Sequence, residues 1–162
     1  MNELMVRKML PSDIQQVQNV AKTSWNATYN GIIPIEVQES FLKSAYNDEM
    51  MLRRLERSHV YVAELNGKIA GFANFSFVRE GGQVELSAIY LYPEYQGKGI
   101  GSALLQEGIK NSQGVKEVFI NVEKQNLIGR KFYEAKKFEM IKEFDDDFDG
   151  HTLKTVRMVL KI

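Results

Sequence analysis

Apolar and polar positions along the chain change period several times, and each change marks an element. Residues 4–9 (LMVRKM) predict a first strand, and Pro11, Ser12 and Asp13 punctuate the chain after it. Ser12 with Gln15 fits a capping box, in which the hydroxyl accepts from the third amide and the glutamine reaches back. Ile14, Val17, Val20, Ala21 and Trp25 follow at helical spacing, so a helix is expected that fails near Asn30–Gly31, ahead of Pro34. A second helix is predicted over about 35–42. A third is predicted over about 47–57, with Met50, Met51 and Leu55 as its apolar positions.

From residue 59 the period becomes that of strands. Residues 59–65 and 68–78 flank Asn66–Gly67, a two-residue hairpin signal because both positions tolerate positive φ. Gly81–Gly82 turns the chain again into a strand over 83–92. A glycine-containing loop (93–101), a helix (102–111), a short buried strand (117–122, EVFINV) and a helix (126–136) complete the middle of the chain. Residues 139–144 and 152–160 read as a closing antiparallel pair around an acidic turn. The predicted order is β-α-α-α-β-β-β-α-β-α-β-β. Its strand–helix–strand passage through 83–122 implies one parallel pair. The expected fold class is therefore α/β (α+β), a single domain over 1–162 with a mixed, mostly antiparallel sheet and helices on its faces.

Composition narrows the chemistry. The 162 residues contain no cysteine, which excludes disulfides, a thiolate zinc site and a cysteine acyl-enzyme. Two histidines, His59 and His151, make a histidine-rich metal site a poor expectation, and no metal is expected. Lys plus Arg (21) equals Asp plus Glu (21), which argues against broad nucleic-acid binding. No apolar run reaches the roughly 18 residues of a membrane span. The opening MNELMVRKML lacks a signal-peptide core, so a cytoplasmic location is the expectation.

The most informative segment is ELSAIYLYPEYQGKGIGSALL, residues 85–105. A hydrophobic strand ends at Tyr92–Pro93, and Gln96, Gly97, Lys98, Gly99, Ile100, Gly101 and Ser102 lead into an amphipathic helix. Glycines allow sharp turns and close approach of an anion, and a helix start offers unpaired N–H groups and a positive dipole end. Together they describe a diphosphate site. A Walker loop requires GxxxxGK[ST], which is missing. A dinucleotide fold requires GxGxxG after a first strand, whereas the spacing here is GxGxG in mid-chain. A plain glycine-rich turn is the bland alternative.

Gln96, Gly99 and Gly101 match [Q/R]-x-x-G-x-[G/A], and the segment resembles motif A of the GNAT N-acetyltransferase superfamily. A second motif of that family, a short strand followed by N-x-x-A-x-x-F-Y-x-x-x-G-F, is similar to EVFINV with Asn126, Gly129, Phe132–Tyr133 and Phe138. Two positions depart from it. Gly129 stands for alanine, and Lys137 stands for glycine, at a cost of about 1–2 kcal/mol if left-handed geometry is kept.

The resemblance implies acetyl transfer from acetyl-CoA to a primary amine: a polyamine, an amino acid or a peptide N-terminus. It implies a GNAT fold in which a strand pair splays apart. Backbone groups at Ile89, Tyr90 and Leu91 would then meet the pantetheine arm, and the Gln96–Ser102 amides the diphosphate. Asn126 and Arg130 lie on the side used for CoA, although Arg130 is equally read as a solvated helix charge. Tyr133 is expected to assist the leaving thiolate, the bland alternative being a core tyrosine. Glu85, eleven residues before Gln96, matches the spacing at which some members carry a glutamate base; otherwise it faces solvent or pairs with a lysine. With no cysteine, direct attack in a ternary complex is favoured over a thioester intermediate.

On the acceptor side, Trp25, Thr28, Tyr29, Gly31 and Pro34 resemble a substrate-side lid. Trp25 and Tyr29 either meet a cation or simply pack α-helix on sheet. The run EFDDDFD at 143–149 either steers a cationic acceptor or is a solvated loop. Family members often dimerise, so a homodimer is an expectation from the resemblance alone. Two rivals remain open: a catalytically weak acyl-CoA-binding sensor with the same fold, and a nucleotide-binding module built on QGKGIG.

Overall fold

The computed structural model describes residues 3–162; Met1 and Asn2, part of the opening read above for a signal peptide, lie outside the described residues. The strands are β1 (Leu4–Lys8), β2 (Ser58–Leu65), β3 (Lys68–Ser76), β4 (Gln83–Leu91), β5 (Glu117–Glu123), β6 (Glu139–Phe148) and β7 (His151–Lys161). The helices are α1 (Ile14–Tyr29), α2 (Ile35–Ala45), α3 (Asp48–Arg57), α4 (Ile100–Asn111) and α5 (Leu127–Ala135). They build one seven-stranded sheet in the order β1-β2-β3-β4-β5-β7-β6, antiparallel except for β4 with β5. The expected mixed sheet with a single parallel pair is what forms.

Both faces of the sheet are covered, which explains why the central strands are nearly continuously apolar. In β2, Tyr61 and Ala63 join the core beneath α4 and α5 with Phe75, Leu86, Leu104 and Ile120. The alternate residues Val60 and Val62 pack against α1 and α3 with Val17, Val20, Met51 and Phe72. α4 lies so close on β3 that a Cβ on Gly108 would collide with the Phe75 ring. At the β2–β3 hairpin, Asn66 (φ 52°) and Gly67 (φ 83°) adopt the left-handed geometry that the dipeptide predicts.

Two local expectations are corrected. The Ser12–Gln15 capping box does not form, because Pro11–Asp13 makes its own 3₁₀ turn before α1. Asp13 takes the capping role instead: its carboxylate accepts from the Leu10 N–H at 2.8 Å and from Arg7 at 2.7 and 3.1 Å. The hydrogen bond from Arg7 holds this carboxyl below the usual carboxylate range. The acidic run is not a turn either. Glu143 through Phe148 continue β6 against β7, and the chain reverses only at Asp149–Gly150. Phe144, Asp146 and Phe148 are half-buried while Glu143, Asp145 and Asp147 face solvent. β6 is an edge strand, where exposed charge is well tolerated and discourages pairing with other chains.

Candidate active site

The parallel contact between β4 and β5 is short. It holds only Gln83↔Glu117, Val84↔Val118 and Glu85↔Phe119. Beyond it β4 stays with β3 to Gly71↔Leu91, while β5 stays with β7 to Glu123↔Thr155. A bulge helps the divergence: Phe75 faces Leu86 and Asn74 faces Ala88, so Ser87 is an extra residue that bends β4. The opened edge of β4 forms one wall of a cleft of about 920 Å³, walled also by α1, α4, α5 and the end of β5.

The loop before α4 is built for an anion. Gly97 (φ 75°) and Gly99 (φ 82°) are left-handed, and nothing stands within 4 Å of where a Cβ would be at either. Gly99 caps α4. Ala103 N–H reaches the Gly99 carbonyl at 3.1 Å, so the amides of Ile100, Gly101 and Ser102 belong to the unpaired first turn. Across the cleft, a Cβ on Gly101 would lie 3.1 Å from the Phe132 ring, so α4 and α5 approach closely there.

Of the residues expected on the cofactor side, Ile89, Tyr90, Leu91, Gln96, Gly97, Gly99, Gly101, Ser102, Asn126 and Tyr133 line this cleft. Two do not. The Ile100 side chain is buried in the core beside Leu104, leaving only its amide at the helix start. The Lys98 ammonium sits 5.9 Å from the centre of the exposed loop's Tyr95 ring. Arg130 donates to the Lys124 carbonyl at 3.1 Å and is not among the lining residues.

On the acceptor side the two aromatic residues part company. Tyr29 lines the cleft, as does Asn126, the residue that caps α5. Trp25 lies behind the wall: it stacks on Phe41 at 4.3 Å and donates Nε1–H to the Tyr90 hydroxyl at 3.0 Å. Its packing reading is the one the geometry favours. Phe148 of β6 closes the same cluster, 4.7 Å from Phe41.

The expectation that Glu85 faces the acceptor is not met. Glu85 is not a lining residue; both its oxygens receive the Arg157 guanidinium, at 2.8 and 2.9 Å. No Asp or Glu is found among the described residues that line the cleft. The charged side chains in its lining are Lys131 and Lys136; the other polar groups are neutral. Burial pushes the phenols of Tyr29, Tyr90 and Tyr133 up, so all three are protonated donors at neutral pH.

Sequence reasoning missed Asn121 and Ser87, which line the cleft from β5 and β4. It also missed Glu123, a carboxylate only 7% exposed at the end of β5 that accepts from the Gln125 N–H at 2.7 Å. Burial raises its pKa.

Comparisons with known proteins agree with this geometry. The sequence profile of the acetyltransferase (GNAT) family matches residues 18–138. The chain is 31% identical over 153 residues to spermidine N(1)-acetyltransferase of Thermoplasma acidophilum, covering 90% of this chain and 91% of that one. It is 36% identical over 159 residues to the uncharacterized N-acetyltransferase YuaI of Bacillus subtilis, covering 93% and 89%. Among solved structures, the PaiA N-acetyltransferase of T. acidophilum in complex with coenzyme A superposes with a TM-score of 0.85 at 28% identity, covering 99% of both chains. The fold is shared as well by YncA of Salmonella typhimurium with acetyl-CoA, at TM-score 0.70 and 22% identity over 98% of this chain and 94% of that one.

Proposed function

Since the chain belongs to the GNAT acetyltransferase family and is an N-acetyltransferase of that type, we propose that it takes acetyl-CoA as cosubstrate and acetylates a primary amine, polyamines first, by direct attack in a ternary complex. The observation that carries this reading is the strand split itself: an open β4 edge runs from Leu86 to Leu91 and ends at the glycine-opened start of α4. A diphosphate fits the Ile100–Ser102 amides, since no side chain occupies the space beside Gly97 and Gly99. The cosubstrate supplies the activated acetyl thioester. The polyamine class rests on the named activity of the Thermoplasma relative and on the Tyr29 and Tyr90 rings, which suit a chain of methylenes and amines.

Tyr133 stands where α5 meets the cleft, with its ring held edge-on by Phe132 and Phe138. A phenol at pKa ~10 is already about 1.5 units too weak to protonate a thiolate of ~8.5, and burial widens that gap. Its role is hydrogen-bond donation to the leaving sulfur without full transfer. The acceptor faces a different cost. Reaching the free base of an alkylamine at pH 7 takes about 4.6 kcal/mol. A cleft without a carboxylate in its lining disfavours the ammonium by desolvation and so draws in the neutral amine, its proton leaving to water at the mouth.

A thiol-release screen of purified protein with acetyl-CoA across polyamines, amino acids and peptides tests the proposal. Release with spermidine or spermine is expected. Acetyl-CoA binding without release from any amine would favour the acyl-CoA-sensor reading. Displacement of acetyl-CoA by ATP but not by CoA would favour a nucleotide module.

A further inference from the structure

Glu85, Asn121 and Arg157 come from three neighbouring strands. Asn121 stands directly opposite Arg157 in the β5–β7 ladder, and Glu85 opposite Phe119, two residues before Asn121. Arg157 Nη1 donates both to Glu85 Oε2 at 2.9 Å and to Asn121 Oδ1 at 3.0 Å, while Nη2 donates to Glu85 Oε1 at 2.8 Å. The guanidinium lies over the Phe119 ring, 4.9 Å from its centre. The pair is partly screened from solvent, with side-chain exposures of 24% for Arg157 and 21% for Glu85.

Two chemical consequences follow. Both Glu85 oxygens are turned to the guanidinium, and neither is presented to the cleft. Asn121 does line the cleft, and its orientation is set by the same arginine. An amide has one accepting end and one donating end. With Oδ1 on Arg157, the other end, Nδ2, is the one left for the cleft. A planar fork can hold a carboxylate and an amide oxygen at once; an ammonium is a point charge without that fixed geometry.

We propose that Arg157 is a positioning residue: it withdraws Glu85 from the reaction and orients Asn121 as a neutral hydrogen-bond donor on the cleft wall, where it helps to select an acceptor whose attacking nitrogen is uncharged. This rests on the acetyltransfer reading above and concerns the same cleft. An N–H donor disfavours an ammonium at that wall. A freely turning Asn121 could present either its oxygen or its nitrogen, and an unpaired Glu85 would offer the cleft a full negative charge.

The experiment measures acceptor kcat and KM against pH, with acetyl-CoA Kd by calorimetry, for the wild type and three variants. Thiol release by the wild type is scored first; its absence refutes the acetyltransfer reading itself. Given turnover, Glu85→Gln is expected to hold kcat within about threefold, and a loss beyond about tenfold with the acidic limb of the profile removed makes Glu85 the base and overturns the proposal. Arg157→Met is expected to raise acceptor KM about tenfold or more, with kcat changed less and acetyl-CoA Kd unchanged. An acceptor KM equal to that of the wild type overturns it. The double variant Arg157→Met with Glu85→Gln, which leaves no stranded carboxylate, is expected to keep the raised KM because Asn121 is still unheld. Recovery of the wild-type KM there would reduce Arg157 to a counter-charge and end the role of Asn121.

Discussion

The side chain of Asn126 occupies the space that a Cβ on Gly129 would need. Its Oδ1 accepts from the Gly129 N–H at 3.0 Å, and its Nδ2 lies 2.7 Å from the ideal Cβ position. Asn126 and Tyr29 both line the cleft, so the residue that caps α5 also stands in the wall that α1 shares. Gly129, which replaces the family's alanine, is thus a fitted residue and not a neutral exchange.

Gly129→Ala therefore separates stability from activity. Alanine in the first turn of α5 gains about 1 kcal/mol of helix propensity, and the displaced cap loses about the same. The melting temperature is expected to move by less than about 3 °C. The acceptor KM is expected to rise about tenfold, since Asn126 must shift within the cleft lining. An unchanged KM would show that the placing of Asn126 plays no part in acceptor binding.

Tyr133→Phe removes one hydroxyl from a buried ring and leaves its packing on Phe132 and Phe138 in place. Loss of a donor aimed at developing charge costs about 10²-fold in kcat, with acetyl-CoA affinity nearly unchanged. The measurement is steady-state turnover beside a binding isotherm. A weakened isotherm with intact turnover would make Tyr133 a wall of the pocket and nothing more.

What was legible in the sequence follows from local patterning. The element order and the Asn66–Gly67 turn are written within a few residues of one another and appear where the pattern puts them, while α4 begins at Ile100, two residues ahead of the expected start at 102. The acidic run misled because five carboxylates in seven residues look like loop; the period-2 placing of Phe144 and Phe148 was the strand signal. Contacts between elements distant in sequence left no trace. Glu85 and Arg157 are 72 residues apart, Trp25 and Tyr90 are 65 apart, and no local spacing says which partner each will meet. Asn121 reads as a polar position of a short strand, and only the divergence of β4 from β5 gives it a cleft to face; Glu123 lies just beyond the strand that the pattern predicts.

Lys137 is left-handed at φ 75°, in the place where the family motif carries glycine. Its N–H donates to the Glu134 carbonyl at 3.0 Å, closing the end of α5, so the geometry is kept in spite of the side chain. Lys137→Gly is expected to stabilise the protein by about 1 kcal/mol and raise the melting temperature by roughly 2–4 °C. Thermal denaturation checks this, and a lower melting temperature would mean that the lysine side chain makes a compensating contact.

Two buried carboxylates predict pH dependences of opposite sign. The hydrogen bond from Arg7 holds Asp13 below its ordinary value of 3.8, so the folded chain releases this proton more readily than the unfolded chain. The stabilisation is complete above pH ~3.8 and is lost as pH falls through the lowered folded value. Asp13→Asn should therefore cost about 1.5–3 kcal/mol at neutral pH, a deficit that shrinks in acid. Glu123 runs the other way. Burial raises its pKa above the ordinary 4.5, so the folded chain holds this proton more tightly and the ionised form is the costly one. Stability from protonated Glu123 is present below pH ~4.5 and lost as pH rises through the raised value. Glu123→Gln keeps an acceptor for the Gln125 N–H and removes the charge, so its melting temperature should gain on the wild type as pH climbs from about 4 to 7. Melting curves across that range decide the matter, and a gap that stays flat for Glu123→Gln would place its carboxylate in contact with water.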